Sequence, residues 1–600
     1  MQLTDFASAT SLVGLFLDRA KSQAGKPFLT AKRDGSWQSQ SWEDVARQVC
    51  LLAESLRAMG LQSGDRVLLV SENRPEWCIA DLAIMAAGCI TTPAYTTNTE
   101  RDHLHVLTDS GARAVIVSTA KLAEPLVSAI FRTNSVDHLI GMEPLRTGQH
   151  GRLAIHDWQG LIQGDAAAAR QAVDNRMATV TRKDLACIIY TSGTGGAPRG
   201  VMQSHGAILS NVDSAADALV ADYGWGAHRF LSFLPLSHAY EHTAGQFLPV
   251  GLGAEIWYAE SLDKLSANLE QAQPTFMVVV PRLFEVLRSR ILKQIEKQGK
   301  AAQFLLDQAL KLQQRRAAGR WRPGDWLIDQ VLERTLRPKI RARFGGRICA
   351  LVSGGAPLNP EIGHFFQALG LTLLQGYGQT ESAPVVSCNF PAAGVRMDTV
   401  GPPLKNVEVR IAEDGEILVR GELVMQGYWR NEADTAKVLQ DGWLHTGDIG
   451  HFDDGGRIRI TDRKKDMIVN DKGDNIAPQK VEGMLTLQPE IGQAMITGDR
   501  RPYVVALIVP DAEWAREFAA AQGLTGDLPG WQQNPAFRAA IRAAVDRVNV
   551  DLSVIEKVRQ FAFADGPFAI DNEMMTPSMK IRRHKIREVY GDRMEALYKA

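Results

Sequence analysis

Glycines and hydroxyl residues crowd the segment Tyr190-Thr-Ser-Gly-Thr-Gly-Gly-Ala-Pro-Arg-Gly200. Without Cβ atoms at Gly193, Gly195 and Gly196, backbone N–H groups can converge on one point. Together with the hydroxyls of Thr191, Ser192 and Thr194 they suit the oxygens of a polyphosphate. Arg199 adds a cation. The spacing excludes two familiar nucleotide loops. A G-x-x-x-x-G-K-[ST] pattern fails because Val201 follows Gly200, and G-x-G-x-x-G counted from Gly193 fails at Pro198. The segment lies between a strand-like run, Leu185–Tyr190, and a helix-like run starting near Ser204.

Three further constellations carry chemistry. Gly376-Tyr-Gly-Gln-Thr-Glu381 and, upstream, Ser353-Gly-Gly-Ala-Pro-Leu358 each follow an apolar run. Both would therefore emerge at the carboxyl edge of a parallel sheet, where such sheets bind ligands. Tyr377 offers a flat face for a base, Thr380 a hydroxyl for a phosphate, and Glu381 a hard oxygen for Mg²⁺. Taken alone, either motif reads more simply as a glycine-bearing turn. In Gly442-Trp-Leu-His-Thr-Gly-Asp448, followed by Thr461-Asp-Arg463, a carboxylate could take both hydroxyls of a ribose and an arginine could add a charge-assisted bond. The plainer reading is an Asx turn and a surface arginine. Near the C-terminus, Met575-Thr-Pro-Ser-Met-Lys580 places one lysine on a loop, ordinarily a solvated group. His238 and His242 share an i,i+4 spacing, but no third ligand is evident, and His238 reads equally well as a hydrogen-bonded structural residue.

The elements that must position these groups follow from hydrophobic patterning. Apolar strands at Arg66–Val70, Ala114–Val117, Thr275–Val280, Ile348–Ser353 and Leu371–Gln375 alternate with amphipathic helices, one of them over Glu76–Ala87. That alternation predicts parallel sheets with helices packed on their faces. From about Val400 the strands become shorter and charged, as in Val407–Ile411 and Glu416–Arg420, which predicts an antiparallel, barrel-like subdomain over about 400–461. After Asp462-Arg-Lys-Lys-Asp466 a small α/β unit follows, with a strand at Met467–Val469, a helix near Pro478–Leu487 and strands at Gly492–Thr497 and Tyr503–Val509. The expected fold is α/β: a large N-terminal domain of parallel αβ layers over 1–461 and a small C-terminal domain over 462–600. A chain of 600 residues exceeds what one core usually serves. Its 45% hydrophobic and 22% charged residues are those of a globular protein. The net charge of −1 argues against a nucleic-acid partner. The 6 cysteines are scattered without a C-x-x-C pair, as expected for a reducing cytoplasm. No leader or membrane-spanning run is read from the sequence.

In this order and at these separations, the four constellations resemble the adenylate-forming enzymes: acyl-CoA synthetases, luciferases and adenylation domains. The resemblance covers essentially the whole chain. Leu234-Pro-Leu-Ser-His-Ala-Tyr-Glu241, Val280-Pro-Arg-Leu-Phe-Glu285, Ile340-Arg-Ala-Arg-Phe-Gly-Gly346 and the closing Thr-Pro-Ser-Met-Lys-Ile-Arg582 are similar to the long-chain fatty-acid–CoA ligase branch. Two positions depart from the family pattern: Gly195 stands where it has Thr, and Arg199 where it usually has Lys. The resemblance implies ATP, Mg²⁺ and coenzyme A, with a fatty acid converted to acyl-AMP and then to a thioester. It implies that Thr191, Ser192, Gly193, Thr194 and Arg199 hold the β- and γ-phosphates, that Thr380 and Glu381 serve the α-phosphate and Mg²⁺, and that Gly355, Ala356 and Tyr377 border the adenine. Asp448 and Arg463 would bind the ribose, His238 would stand at the mouth of the acyl pocket, and Lys580 would bridge carboxylate and α-phosphate. The small C-terminal domain would be mobile, hinged at about 462–466, and Gly473 would approach the pantetheine after it swings.

The segment 282–347 carries a marked surplus of Lys and Arg over Asp and Glu. Its helical stretches interleave Phe304, Leu305, Leu310, Leu312, Trp321, Trp326, Leu327 and Ile328. Such a surface suits peripheral contact with an anionic membrane, or simply a solvated helical insertion. Three alternatives stay open: a fatty-acyl–AMP ligase serving a carrier protein, a ligase for aryl or medium-chain acids, and a non-catalytic nucleotide- and acyl-binding regulator.

Overall fold

Two eight-stranded sheets form the N-terminal part. The computed structural model describes residues 6, 8–145, 151, 153–191, 197–576 and 580–599. In the first sheet Arg66–Val70 lies at the centre, parallel to Ile90–Ala94 on one side and Ala114–Val117 on the other. His138–Gly141 and Ala154–Asp157 extend one edge in parallel, while Leu185–Thr191 joins Ile90–Ala94 in parallel on the other side. The second sheet runs parallel through Pro27–Arg33, Glu255–Tyr258, Arg229–Ser232, Phe276–Val279, Ala350–Ser353 and Leu373–Gly378. Its two edge strands, Ser36–Ser41 and Val385–Cys388, are antiparallel. The sheets are thus mixed, with parallel centres, one antiparallel margin in the first and two in the second.

Helix Pro75–Ala86 shows how the layers cohere. Its sequence, PEWCIADLAIMA, is apolar on almost every side, and every residue in it is buried. A helix without a polar face must be covered all round. It touches strands of both sheets, so Trp77 and Ile79 share one core with Val67 of the first and Phe230 and Phe276 of the second.

One correction concerns the glycine-rich segment. The residues after it do not pass directly into a helix. Arg199–Ser204 forms a strand antiparallel to Leu185–Thr191, and only then does helix His205–Tyr223 begin. The segment therefore closes a hairpin. Gly427–Tyr428 adds a further antiparallel strand on the outer side of Arg199–Ser204.

Glu408–Ile411, Glu416–Arg420, Leu439–Gln440, Trp443–Phe452 and Ile458–Arg463 build a separate antiparallel sheet around Ile417, Val419, Leu444 and Ile458. Beyond it, Ile491–Thr497, Val504–Pro510 and Val558–Phe563 make a three-stranded sheet. Alternation along Val504–Pro510 sends Val504, Ala506 and Ile508 against helix Pro535–Asp551, and Val505 and Leu507 against helix Arg583–Ala596. The small hairpin Ile468–Val469 with Asn475–Ile476 precedes this unit.

Candidate active site

A cleft of about 2430 Å³ opens where these parts meet. The carboxyl ends of both parallel sheets reach it: Thr191 from the first, and Gly354, Gly355 and Ala356 after strand Ala350–Ser353 from the second. Gly355 sits at φ +80, a conformation that L side chains rarely adopt. Gly376, Tyr377 and Gly378 form the end of strand Leu373–Gly378 rather than a turn. A Cβ on Gly378 would lie 1.7 Å from the Pro384 carbonyl oxygen, so only glycine fits.

The short 3₁₀ turn Thr380–Ser382 follows. Its first carbonyl accepts the Gln203 amide at 2.7 Å, which ties the turn to strand Arg199–Ser204. Thr380 and Glu381 both line the cleft. The Glu381 Oε1 accepts the Tyr428 hydroxyl at 2.8 Å. Among the described residues no hydrogen bond reaches Oε2. One exposed hard oxygen fits Mg²⁺, which keeps several waters and draws its other ligands from phosphates.

Asp448 and Arg463 face each other across the antiparallel strands Trp443–Phe452 and Ile458–Arg463, as direct register partners. The Arg463 Nε lies 2.8 Å from the Asp448 Oδ1, and the Tyr377 hydroxyl donates to Oδ2 at 2.8 Å. The plainer sequence reading fails at Asp448, a buried strand residue, while Arg463 keeps its side chain 40% exposed and pairs with it. The carboxylate raises the Arg463 pKa further, and burial raises the Tyr377 hydroxyl well above the ordinary tyrosine value. Both carboxylate oxygens keep a second lone pair for a diol.

Lys580 enters the cleft from the C-terminal side and remains open to the solvent that fills it. Desolvation by the cleft walls, with repulsion from Arg463, draws its pKa down to about 8 against the opposing pull of Asp448 and Glu381. His238 lines the same cleft. Its Nδ1 accepts the Tyr240 amide at 3.2 Å and caps helix Ala239–Glu241. Burial, with repulsion from Lys580, lowers its pKa to about 3, so the ring is neutral and carries its proton on Nε2. His242 plays no part in this surface. It is fully buried, 2.9 Å from Asp81.

Thr191, Arg199, Gly355, Ala356, Tyr377, Thr380, Glu381, Asp448, Arg463, His238 and Lys580 thus share one cleft. Gly473, on the hairpin after Ile468–Val469, lies outside its lining, in an exposed turn at φ +86. Ser192, Gly193 and Thr194 lie outside the described residues. Sequence reasoning missed Tyr428 and Asp434, which both line the cleft. The available signal was Gly427-Tyr428 itself, an aromatic after a glycine, too short a run to stand out.

Comparison with known proteins bears on this arrangement. Residues 16–429 match the family model described as AMP-binding enzyme, and residues 465–600 match AMP-binding enzyme C-terminal domain. The chain is 33% identical over 575 residues to long-chain-fatty-acid–CoA ligase FadD15 of Mycobacterium bovis, covering 94% of this chain and 93% of that protein. It is 29% identical to the peroxisomal long chain acyl-CoA synthetase 6 of Arabidopsis thaliana, covering 94% and 82%. Among solved structures, the adenylation domain of a carboxylate reductase from Mycobacterium chelonae superposes with a TM-score of 0.74 at 20% identity, covering 99% and 92%. The anthranilate CoA ligase AuaEII with anthranoyl-AMP superposes at 0.71 and 18% identity, covering 98% and 99%. These two likenesses concern the fold.

Proposed function

The chain belongs to the AMP-binding enzyme family, and from that premise we propose how its cleft activates a fatty acid and passes it to coenzyme A. The chain is a ligase of the long-chain fatty-acid–CoA type. A carboxylate is a poor electrophile. Its oxygen first attacks the α-phosphorus of ATP, forming acyl-AMP and releasing pyrophosphate; the CoA thiol then attacks the acyl carbon and AMP departs. The first step is governed by positioning and charge neutralisation.

The observation that carries the assignment of roles is the convergence of Glu381, Asp448, Arg463 and Lys580 on one cleft from separate parts of the chain. Thr191, Ser192, Gly193 and Thr194 hold the β- and γ-phosphates, with Arg199 at their flank. Thr380 orients the α-phosphate. Glu381 supplies the carboxylate for Mg²⁺, which when bound neutralises phosphate charge. Gly355, Ala356 and Tyr377 border the adenine, and Asp448 with Arg463 takes the ribose. Neutral His238 offers its Nε2–H beside the carboxylate. Lys580 spans the carboxylate and the α-phosphate in the first step only. The 462–600 domain, turning about 462–466, withdraws Lys580 and brings Gly473 to the pantetheine. The exposed turn at Gly473 and the half-buried linker fit such a rotation. Acid-dependent ATP–pyrophosphate exchange, followed by thioester formation across acids of short to very long chain and aryl acids, tests the reading. Exchange with long-chain acids and free CoA as acceptor is expected; no exchange with any acid would leave a binding protein, and transfer only to carrier phosphopantetheine would change the acceptor.

The basic segment supports a membrane-facing role. Phe304, Trp326, Leu327 and Val331 stand exposed on helices Lys300–Ala317 and Asp325–Thr335, with Trp321 between them. Leu312 corrects the sequence reading, because it turns inward with Leu306 and Ala309, and Leu305, Leu310 and Ile328 pack partly buried against the same core. No helix of the described residues is long and apolar enough to cross a membrane. Peripheral contact through this face predicts salt-sensitive sedimentation with anionic vesicles, reduced by Trp326→Glu with Leu327→Glu. Binding that ignores both salt and these substitutions would exclude it.

A further inference from the structure

Arg199 and Glu381 come from different sheets, and nothing in the local sequence fixes their separation. The segment Met425–Trp429 lies across both. The Met425 amide donates to the Glu381 carbonyl at 2.9 Å, while the Gln426 and Trp429 amides donate to the Met202 and Gly200 carbonyls at 3.0 and 2.7 Å. Tyr428 sits within this clamp, opposite Val201 in the strand pairing, and its own amide is held by the Thr435 hydroxyl at 2.9 Å. Its side chain reaches both groups. The Arg199 guanidinium lies over the ring at 4.1 Å from the centroid, and the hydroxyl donates to the Glu381 carboxylate at 2.8 Å.

We propose that Tyr428 is a positioning residue for ATP activation, setting the Arg199 guanidinium and the Glu381 carboxylate at a fixed separation on the phosphate side of the cleft. The proposal rests on the reading above that this side receives the triphosphate. A planar guanidinium can lie flat on an aromatic face while keeping in-plane N–H groups for phosphate oxygens; a lysine ammonium, a compact point charge on a flexible stem, gains no such fixed plane. Asp434 approaches Arg199 from the side at 3.4 Å but is shared with Lys437 at 2.7 Å, so the Arg199 charge is only partly compensated. Tyr428 thereby makes arginine workable at a position where its orientation, and not only its charge, must be set.

The test separates the hydroxyl from the ring. Tyr428→Phe keeps the packed ring and removes the bond to Glu381; Tyr428→Leu removes the face under Arg199; Arg199→Lys keeps the charge and loses the plane. In pyrophosphate exchange, Tyr428→Phe is expected to raise the KM for ATP about ten- to 100-fold, the range for one bond to a charged group. The KM for the fatty acid should stay within about twofold. Calorimetry of ATP binding, with Mg²⁺ and with chelator, should show the larger loss for Tyr428→Phe when Mg²⁺ is present. Arg199→Lys should cost about tenfold in kcat/KM for ATP alone but little more when added to Tyr428→Leu, since residues in contact are not additive. If Tyr428→Leu does not fold, Tyr428→Phe and Arg199→Lys still decide the matter. Normal exchange with a Tyr428→Phe enzyme unchanged in both KM and ATP affinity would overturn the role of Tyr428 alone. Absence of exchange in the unsubstituted enzyme would overturn the activity on which it rests.

Discussion

Lys580→Ala is expected to lower acid-dependent ATP–pyrophosphate exchange by about 100- to 1000-fold, the range for removing one preorganised charge from a reacting centre. Conversion of preformed acyl-AMP and CoA to thioester should stay within about threefold, because an interaction made only in the first transition state does not bear on the second. Equal losses in both half-reactions would show that the lysine holds the cleft together rather than serving adenylation. The pKa of Lys580, drawn down to about 8 in the free enzyme, adds a second signature. Below that pH the ammonium is present and kcat/KM for ATP is flat on this account; above it the neutral amine predominates and kcat/KM falls about tenfold per pH unit. Thioester formation from acyl-AMP lacks that limb, and so does the alanine variant.

The second large effect is expected at Asp448. Its side chain is only 8% exposed and receives both the Tyr377 hydroxyl and Arg463. Asp448→Ala leaves a buried hydroxyl without its acceptor and a cation without its partner. The expected loss is about 2–4 kcal/mol of stability, read as a lower melting temperature. If the same carboxylate binds the ribose diol, the KM for ATP should rise about 100-fold, two hydrogen bonds to a charged group at about 1.5 kcal/mol each. The KM for the fatty acid should not follow. Asp448→Asn retains one oxygen and should fall between. A lower melting temperature with an unchanged KM for ATP would reduce Asp448 to a structural strut.

The strands that sequence patterning placed best are those whose burial is uniform. Arg66–Val70 and Ala114–Val117 stand where the apolar runs put them. Arg199–Ser204 escaped because its buried residues include Gln203 and Ser204. Polar groups there are tolerated because the Gln203 amide is satisfied by the Thr380 carbonyl, a partner 177 residues away that no local window contains. The strand Trp443–Phe452 escaped in the same way. Its alternation is regular, with Leu444, Thr446, Asp448 and Gly450 facing inward, but most of those positions are not apolar. Residue types suited to phosphate, ribose and carboxylate chemistry were legible at Thr191, Thr380, Glu381, Asp448, Arg463 and Lys580. Their convergence was not derivable from spacing and entered only through resemblance. Tyr428 was legible from neither source, since its contacts with Arg199 and Glu381 exist only once two sheets and a short cross-strand are assembled.

The two large sheets are woven from alternating stretches of polypeptide. The second takes residues near 27–41 and then 229–388, while the first takes 66–204 and returns for Gly427–Tyr428. No single scission can part them without tearing at least one of the two. Chain synthesis must therefore run past residue 428 before the first sheet has all its strands. The three-stranded sheet over 491–563 has every strand in one uninterrupted stretch, so the smaller body can complete its own sheet without borrowing from the larger.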